Sequence, residues 1–192
     1  MVFLPDSVQA ERIKEEQDYE GVRVHLRALL QNARIDLQID IGFGDCVVPP
    51  AVEADFPTLL DAPAPRLRVY PMEVAFAEKL ETIVTLGLVN SRLKDYFDLW
   101  LLAHSGLEET TLIQSIRATF NRRETAIPKE TPSGLTPAYA QNPDRAKQWT
   151  AFQKRVSATA CPSSLEQMVS DLARYTSPLF SRISSESSSS KV

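Results

Sequence analysis

Apolar and polar side chains alternate along two stretches near the start of the chain. Residues 22–26 follow this period, and residues 34–43 place four apolar side chains on one side, namely Ile35, Leu37, Ile39 and Ile41. A period of two is typical of half-buried strands. The second stretch ends at Gly42 and Gly44, and the short connection between the two predicts antiparallel neighbours in a sheet.

A polar stretch precedes these strands. Residues 6–20 contain only sparse apolar positions among Glu, Asp and Gln side chains. Asp6 and Ser7 are residue types that cap helix N-termini. The pattern therefore predicts a short amphipathic helix that begins after one of them.

The pattern changes after residue 45. Five prolines between residues 45 and 70 exclude a long helix, and one short strand is predicted at residues 67–70. Apolar positions at helical spacing then predict a helix over residues 72–86, which ends at Gly87. The chain is thus expected to turn from strands to helices near residue 72.

Helices are predicted for most of the remainder. One covers residues 92–104, is capped by Ser91, and is expected to bury Leu93, Phe97, Trp100 and Leu101. Further helices are predicted over residues 110–123, 143–159 and 163–175, with a proline-rich loop at residues 127–143. The serine-rich end, residues 181–192, is predicted to be disordered because its composition is of low complexity.

Composition narrows the class of protein. The 192 residues are 43% hydrophobic and 24% charged with a net charge of −4, so no overall basic field indicates nucleic-acid binding. Two distant cysteines, Cys46 and Cys161, indicate a reduced, intracellular chain, although a single disulfide stays open as an alternative. No apolar run is long enough for a membrane span and no signal peptide is recognisable, so a cytoplasmic location without membrane contact is expected.

Asp40 stands in the first cluster of candidate chemistry, residues 38–45 (QIDIGFGD). A carboxylate on a strand beside glycines can hold a divalent cation against a phosphate, because Mg²⁺ prefers hard oxygen ligands and takes few of them from the protein. The pattern alone favours a simpler interpretation, in which Asp40 lies on the solvent face of an antiparallel edge.

Glu73, Glu78 and Lys79 form the second cluster, on the helix predicted from residue 72. A lysine near a helix start can neutralise a triphosphate as a point charge. The pattern alone again favours the simpler interpretation, a solvated helix face with pairs three residues apart.

The third cluster opens the helix predicted from residue 92. Helical spacing puts Arg92 and Asp95 on one face, and Lys94 and Asp98 on another. Beside Arg92, the Asp95 carboxylate would be oriented for a supporting role or as a base. A buried Arg–Asp clamp between two helices is an equally good interpretation. The chain contains no Walker, GxGxxG, GxSxG or HExxH motif, so none of the enzyme classes with those motifs is indicated.

Several stretches together resemble one known family. Residues 38–45 (QIDIGFGD), 77–81 (AEKLE) and 90–100 (NSRLKDYFDLW) follow one another in the order found in the nucleotidyltransferase-like AbiEii toxin family. Residues 19–24, 32–35, 63–68, 119–123 and 148–152 also resemble the family. The resemblance extends over about residues 5–180 and is fairly specific because the motifs occur in combination.

The resemblance implies an α+β fold in three parts. A partial nucleotidyltransferase-like core with a mixed sheet would occupy residues 1–105, and a helical region would occupy residues 106–180. The serine-rich tail, residues 181–192, would follow.

The resemblance also implies a function. Family members are toxins of toxin–antitoxin or phage-defence (abortive infection) systems, and the implied reaction transfers a nucleotide from an NTP to an acceptor such as tRNA. Implied partners are the NTP, the acceptor and a cognate antitoxin, with Mg²⁺ as cofactor. The implied catalytic residues are Asp40, which would also bind the metal, Lys79 and Asp95. Lys79 and Arg92 would bind the nucleotide, with Asp98 and Glu78 in support.

The chain departs from the family pattern in one respect. The pattern includes a Gly-Ser helix start and an Asp-x-Asp pair on the first strands, and no stretch before Tyr19 matches either element. Because such a pair supplies the main metal ligands, we expect this N-terminally incomplete polypeptide to have little or no transfer activity by itself. The alternative is a non-catalytic binding module that engages an antitoxin or RNA.

Overall fold

A computed structural model describes residues 1–14, 20–44, 46–156 and 162–189. Backbone contacts divide the chain into two compact units, residues 1–45 and 46–192. Tyr19, Asp45 and Cys161, which entered the sequence-based interpretation, lie outside the described residues. The division after residue 105 stays a prediction.

The first unit contains a three-stranded antiparallel sheet in the order β1-β2-β3. Its strands are β1 (Val2–Lys14), β2 (Glu20–Leu30) and β3 (Ala33–Gly42). The two alternating stretches of the sequence thus form neighbouring antiparallel strands as predicted. The expected α+β fold is confirmed, since strands precede a helical region, although both ladders of this sheet are antiparallel and not mixed.

Strand β1 occupies residues 6–14 of the range in which the sequence predicts a helix, and residues 15–19 of that range lie outside the described residues. It pairs with β2, with an irregularity between Leu4 and Gln9. Ser7 bridges this irregularity, since its hydroxyl donates to the Leu4 carbonyl at 2.6 Å and accepts from the Arg27 N–H at 2.8 Å. The helix prediction was wrong because cross-strand pairing outweighs the local preference of Ser7 for helix caps.

The second unit begins with a hairpin and continues as helices. Strands β4 (Val52–Asp55) and β5 (Arg66–Val69) pair antiparallel. The helices are α1 (Met72–Leu86), α2 (Leu93–Ala103), α3 (Glu109–Arg122), α4 (Pro137–Ala140), α5 (Pro143–Val156) and α6 (Leu165–Ser189). The predicted helix over residues 72–86 is confirmed, and α2 begins and ends within one residue of its prediction.

These helices pack around one apolar core. Its largest fully buried side chains are Trp149, Tyr96, Tyr139, Phe76, Phe120, Leu80, Ile83, Leu99, Leu112, Ile116, Leu135 and Met168. On α2 the predicted Leu93 and Phe97 are buried, but Tyr96 and Leu99 are fully buried as well, and Leu101 is 42% exposed. Apolar residues surround most of α2, so periodicity alone could not select the face that packs.

The proline-rich loop contributes to this core. Within it, a short 3-10 helix (Ser133–Leu135) and α4 bury Leu135 and Tyr139. The Tyr96 hydroxyl donates to the Gly134 carbonyl at 2.9 Å and ties this segment to α2. The loop is therefore part of the packed unit.

Helix α6 is longer than the sequence predicts. It continues through Ser189, so residues 181–189 are helical where the composition predicted disorder. Ile183 is buried, and Arg182 pairs with Glu109 at 2.5 Å while Glu186 pairs with Arg117 at 2.6 Å. These contacts with α3 hold the serine-rich turns in a helix.

Two further observations concern the class of protein. No helix in the described ranges combines the length and the apolar character that a bilayer span requires. Cys46 is a free thiol, whereas the disulfide alternative involves Cys161 and falls outside the described residues.

Candidate functional site

Three predicted residues meet between α1 and α2. Lys79 lies in α1, and Asp95 and Asp98 lie one turn apart in α2. The Lys79 Nζ is 2.9 Å from Asp95 Oδ1 and 2.9 Å from Asp98 Oδ2. Their side chains are 26%, 19% and 21% exposed, so the cluster is shielded but remains open to solvent on one side.

The charges of this cluster stabilise one another. Burial alone would lower the pKa of Lys79, but the hydrogen bonds to Asp95 and Asp98 outweigh burial and raise this pKa. Burial alone would raise the pKa of Asp98, but hydrogen bonds from Lys94 and Lys79 lower it. Lys79 is therefore a fixed positive charge, and Asp98 a fixed negative one, at neutral pH.

The cluster retains bonding capacity for a ligand. An ammonium has three N–H donors, and the two carboxylates occupy two of those on Lys79. Within the described part of the chain, Asp95 bonds through Oδ1, which leaves Oδ2 for another donor. The site can thus donate to an anion and accept a proton within a few ångströms.

The pairing differs in part from the one predicted. Asp95 bonds to Lys79 and not to the Arg92 side chain, so the clamp between helices is a Lys–Asp clamp. Lys94 and Asp98 share a face as predicted and pair at 2.5 Å. Sequence spacing gives contacts within α2, but not the approach of α1 that brings Lys79 to it.

The segment before α2 is fixed by neighbours that the sequence did not indicate. Asn90 is fully buried, and its Oδ1 accepts the Arg92 N–H at 2.8 Å. The cap predicted at Ser91 was wrong, because α2 begins after Arg92 and has no side-chain cap hydrogen bond there. The Asn90 carbonyl accepts from the Tyr139 hydroxyl at 3.0 Å and from Arg145 Nε at 3.3 Å. These bonds hold the start of α2 in place.

A pocket opens beside this segment. It measures about 740 Å³ and is lined by residues 91–95 and by Gln148, Phe152 and Arg155 of α5. Arg92 is exposed at its edge and has no ion-pair partner among the described residues. Of the predicted nucleotide-binding residues, Arg92 thus lines the pocket, and Asp95 connects it to Lys79.

The acidic residues of α1 have different environments. Glu73 and Glu78 are half-buried, and Glu78 stands beside Lys79. Glu81, on the same helix, is only 2% exposed and bonds to Arg123 at 2.6 Å. The sequence did not indicate this pair, because Arg123 lies just beyond α3 and its approach to α1 depends on the tertiary fold.

Asp40 lies in the first unit, in β3. It pairs across the strands with Arg23, with Arg23 Nε 2.7 Å from Oδ1 and Nη2 2.9 Å from Oδ2. The hydrogen bond from Arg23 is the main cause that lowers the pKa of Asp40. This is the solvent-face environment that the pattern alone favoured, and the approach of Asp40 to Lys79 and Asp95 stays a prediction.

The described residues do not fit a magnesium site as they stand. No group of three or more His, Cys, Asp or Glu side chains among them could hold a metal ion. The Lys79 ammonium stands where a cation would bind Asp95 and Asp98, and the Arg23 guanidinium bonds both oxygens of Asp40.

The chain was compared with known proteins. The family model described as nucleotidyl transferase AbiEii toxin, type IV toxin–antitoxin system, matches residues 2–170. The matched range contains the Lys79, Asp95 and Asp98 cluster and the residues that line the pocket. No curated protein and no solved structure matches the chain.

Proposed function

Because the chain belongs to the AbiEii family of nucleotidyl transferase toxins from type IV toxin–antitoxin systems, we propose that it binds an NTP for nucleotide transfer to an acceptor hydroxyl, such as one on tRNA. The family also implies a cognate antitoxin as partner. The observation that supports the proposal is the Lys79 ammonium, fixed 2.9 Å from two carboxylates with one donor left for a phosphate.

Each residue of the cluster has a distinct role in this proposal. Lys79 donates to a phosphate oxygen of the NTP and offsets its charge. Asp98 holds Lys79 protonated and fixes its position, as the raised pKa of Lys79 indicates. Arg92 binds the phosphates from the adjacent pocket, and Glu78 supports the α1 side.

Asp95 is the proposed base. Its Oδ2 accepts the proton of the acceptor hydroxyl as the hydroxyl oxygen bonds to the α-phosphorus. The bond from the α-phosphorus to the bridging oxygen then breaks, and pyrophosphate leaves with the electron pair. A positioned base of this kind contributes about 10²- to 10⁴-fold to rate.

The family's chemistry is usually metal-dependent, but Arg23 bonds both oxygens of Asp40, the ligand that the resemblance implies, so Asp40 is not assigned to Mg²⁺. The chain contains no Asp-x-Asp pair. We therefore propose that this polypeptide alone binds an NTP but transfers it slowly or not at all, since metal ions supply much of the charge stabilisation in such reactions.

Two assays test the proposal. Binding of a fluorescent NTP analogue is measured for the wild type, Lys79→Met and the control Lys147→Met, whose side chain is 81% exposed. We expect about tenfold weaker binding for Lys79→Met, from the loss of one charge-assisted hydrogen bond, and no change for the control. Equal binding by all three proteins would refute the role of Lys79.

Transfer is then measured with radiolabelled NTP, Mg²⁺ and bulk tRNA. Little incorporation is expected from the polypeptide alone. Strong incorporation that depends on Lys79 would support transfer but contradict the proposed low activity. Binding of RNA without binding of NTP would favour the alternative, a non-catalytic module.

A further inference from the structure

The pocket beside Asp95 has a second wall that the transfer chemistry does not use. Gln148, Phe152 and Arg155 of α5 form it, opposite the first turn of α2. The two walls are about 60 residues apart in sequence, so only the folded unit brings them together.

The charge of this pocket is positive, although the whole chain carries −4. The charged side chains that line it are Arg92, Lys94, Arg155 and Asp95. Lys79 already offsets Asp95 at 2.9 Å. Neither Arg92 nor Arg155 has a carboxylate partner among the described residues, so two guanidinium groups share one pocket without a counter-charge.

Both walls are held in place by packing. Phe152 contacts Phe97 edge-on, with ring centroids 5.5 Å apart, and stacks on Trp149 at the same centroid distance. Arg155 lies one turn after Phe152 on α5, and the backbone of Arg92 is fixed by the buried Asn90. The backbone segments that carry the two cations are therefore in place before a ligand arrives, which lowers the part of the entropic cost of binding that would come from ordering the backbone.

We propose that this pocket binds phosphate groups of the substrate, with Arg155 and Arg92 as the binding residues. Guanidinium groups bind phosphate oxygens in a bidentate manner, and Gln148 adds an amide donor beside them. A volume of about 740 Å³ exceeds what a single phosphate needs and lies in the range of small-molecule sites. The proposal rests on the proposed function and extends it to α5.

The phosphates can come from two sources, the triphosphate of the NTP or the phosphodiester backbone of the acceptor RNA. Binding of three probes to the full chain separates them: inorganic tripolyphosphate, a fluorescent NTP analogue and a labelled single-stranded RNA. The variants are Arg155→Ala and Arg92→Ala. The matched control is Lys154→Ala, which removes one exposed positive charge from the same helix but does not line the pocket.

We expect each arginine variant to bind tripolyphosphate about tenfold more weakly than the wild type and the Lys154→Ala control. The same loss for the NTP analogue assigns the pocket to the triphosphate. The same loss for RNA assigns the pocket to the acceptor. In that case the slope of log K against log salt concentration should become smaller in magnitude by about 0.7 for each phosphate contact that the variant loses. Arg155→Lys should restore part of the affinity, because it keeps the charge but not the fork.

The proposal is overturned if Arg155→Ala binds all three probes as the Lys154→Ala control does, or if the wild type binds none. Unfolding midpoints equal to that of the wild type show that the variants fold, as expected for exposed side chains. If Arg155→Ala weakens binding and Lys79→Met does not, the pocket is supported and the proposed role of Lys79 in NTP binding is refuted. Failure of the pocket proposal can therefore be distinguished from failure of the proposed function.

Discussion

Substitution of Glu81 gives the sharpest test of the packing between α1 and α3. The carboxylate is 2% exposed, and its Oε2 accepts from Arg123 Nη1 at 2.6 Å. Its Oε1 accepts from the hydroxyls of Thr85 and Thr125, each at 2.6 Å. Glu81→Ala removes all three bonds at once and leaves a gap in the core.

The expected magnitude follows from this geometry. Removal of one partner of a buried ion pair costs about 3–5 kcal/mol. Arg123 is 19% exposed, so water can reach part of the guanidinium, and the lower end, about 3 kcal/mol, is expected. A loss of this size lowers the unfolding midpoint of a chain of this length by about 6–12 °C. Glu81→Gln keeps one acceptor oxygen and the shape of the side chain, so it should lower the free energy of unfolding less than Glu81→Ala does.

Thermal and urea unfolding, followed by circular dichroism, measure the loss. The control is Glu53→Ala, which breaks an ion pair with Arg66 of 2.8 Å whose partners are 60% and 68% exposed. Exposed pairs contribute about 0–1 kcal/mol, so the control should unfold close to the wild type. Equal destabilisation by the two substitutions would refute the assignment of Glu81 as a buried anchor.

Three further predictions follow from single residues. Asp98→Asn should make the free energy of unfolding less dependent on pH in the acid range. The pKa of Asp98 is lowered in the folded state, so its stabilisation is present above the ordinary value of 3.8 and is lost as pH falls through the lower folded pKa. Urea unfolding of both proteins between pH 2 and 6 measures the difference. Gly87→Ala should cost about 1 kcal/mol or more, because φ is 51° and the added Cβ would stand 2.4 Å from Ser133 Oγ; an unchanged unfolding midpoint would contradict this. Glu108→Ala removes the side chain that accepts from the Thr110 and Thr111 N–H groups, so the first turn of α3 should exchange its amide hydrogens faster than in the wild type.

Regular periodicity made part of the fold predictable. In α1 the period of apolar residues agrees with the packing, so the bounds of this helix follow from the sequence. In β3 the same kind of period predicts the strand but not its burial, because Ile39 and Ile41 are 51% and 41% exposed. β1 was not predictable in this way, because Ser7 and the polar residues around it favour a cap locally and find their partner only in β2. The serine-rich end of α6 shows the same limit, since Ile183 and Glu186 are stabilised by contacts with α3.

The sequence indicated individual residues of the candidate site but not the distances between them. Lys79, Asp95 and Asp98 were indicated by the family resemblance, whereas their mutual distances depend on how α1 packs against α2. Asn90 was missed because a buried asparagine before a helix has no pattern of its own. Arg155 was missed because α5 is distant from α2 in sequence and packs against it, through Phe152 and Phe97 among others, only in the folded chain.

In the proposed function Lys79 binds an NTP and does not only hold α1 and α2 together. The most direct measurement is the unfolding midpoint of the wild type and of Lys79→Met, each with and without saturating NTP. A bound ligand at about 100 times its Kd stabilises the folded state by about 2.7 kcal/mol. We predict that NTP raises the midpoint of the wild type but much less that of Lys79→Met; an equal rise in both proteins, or no rise in the wild type, would contradict the account.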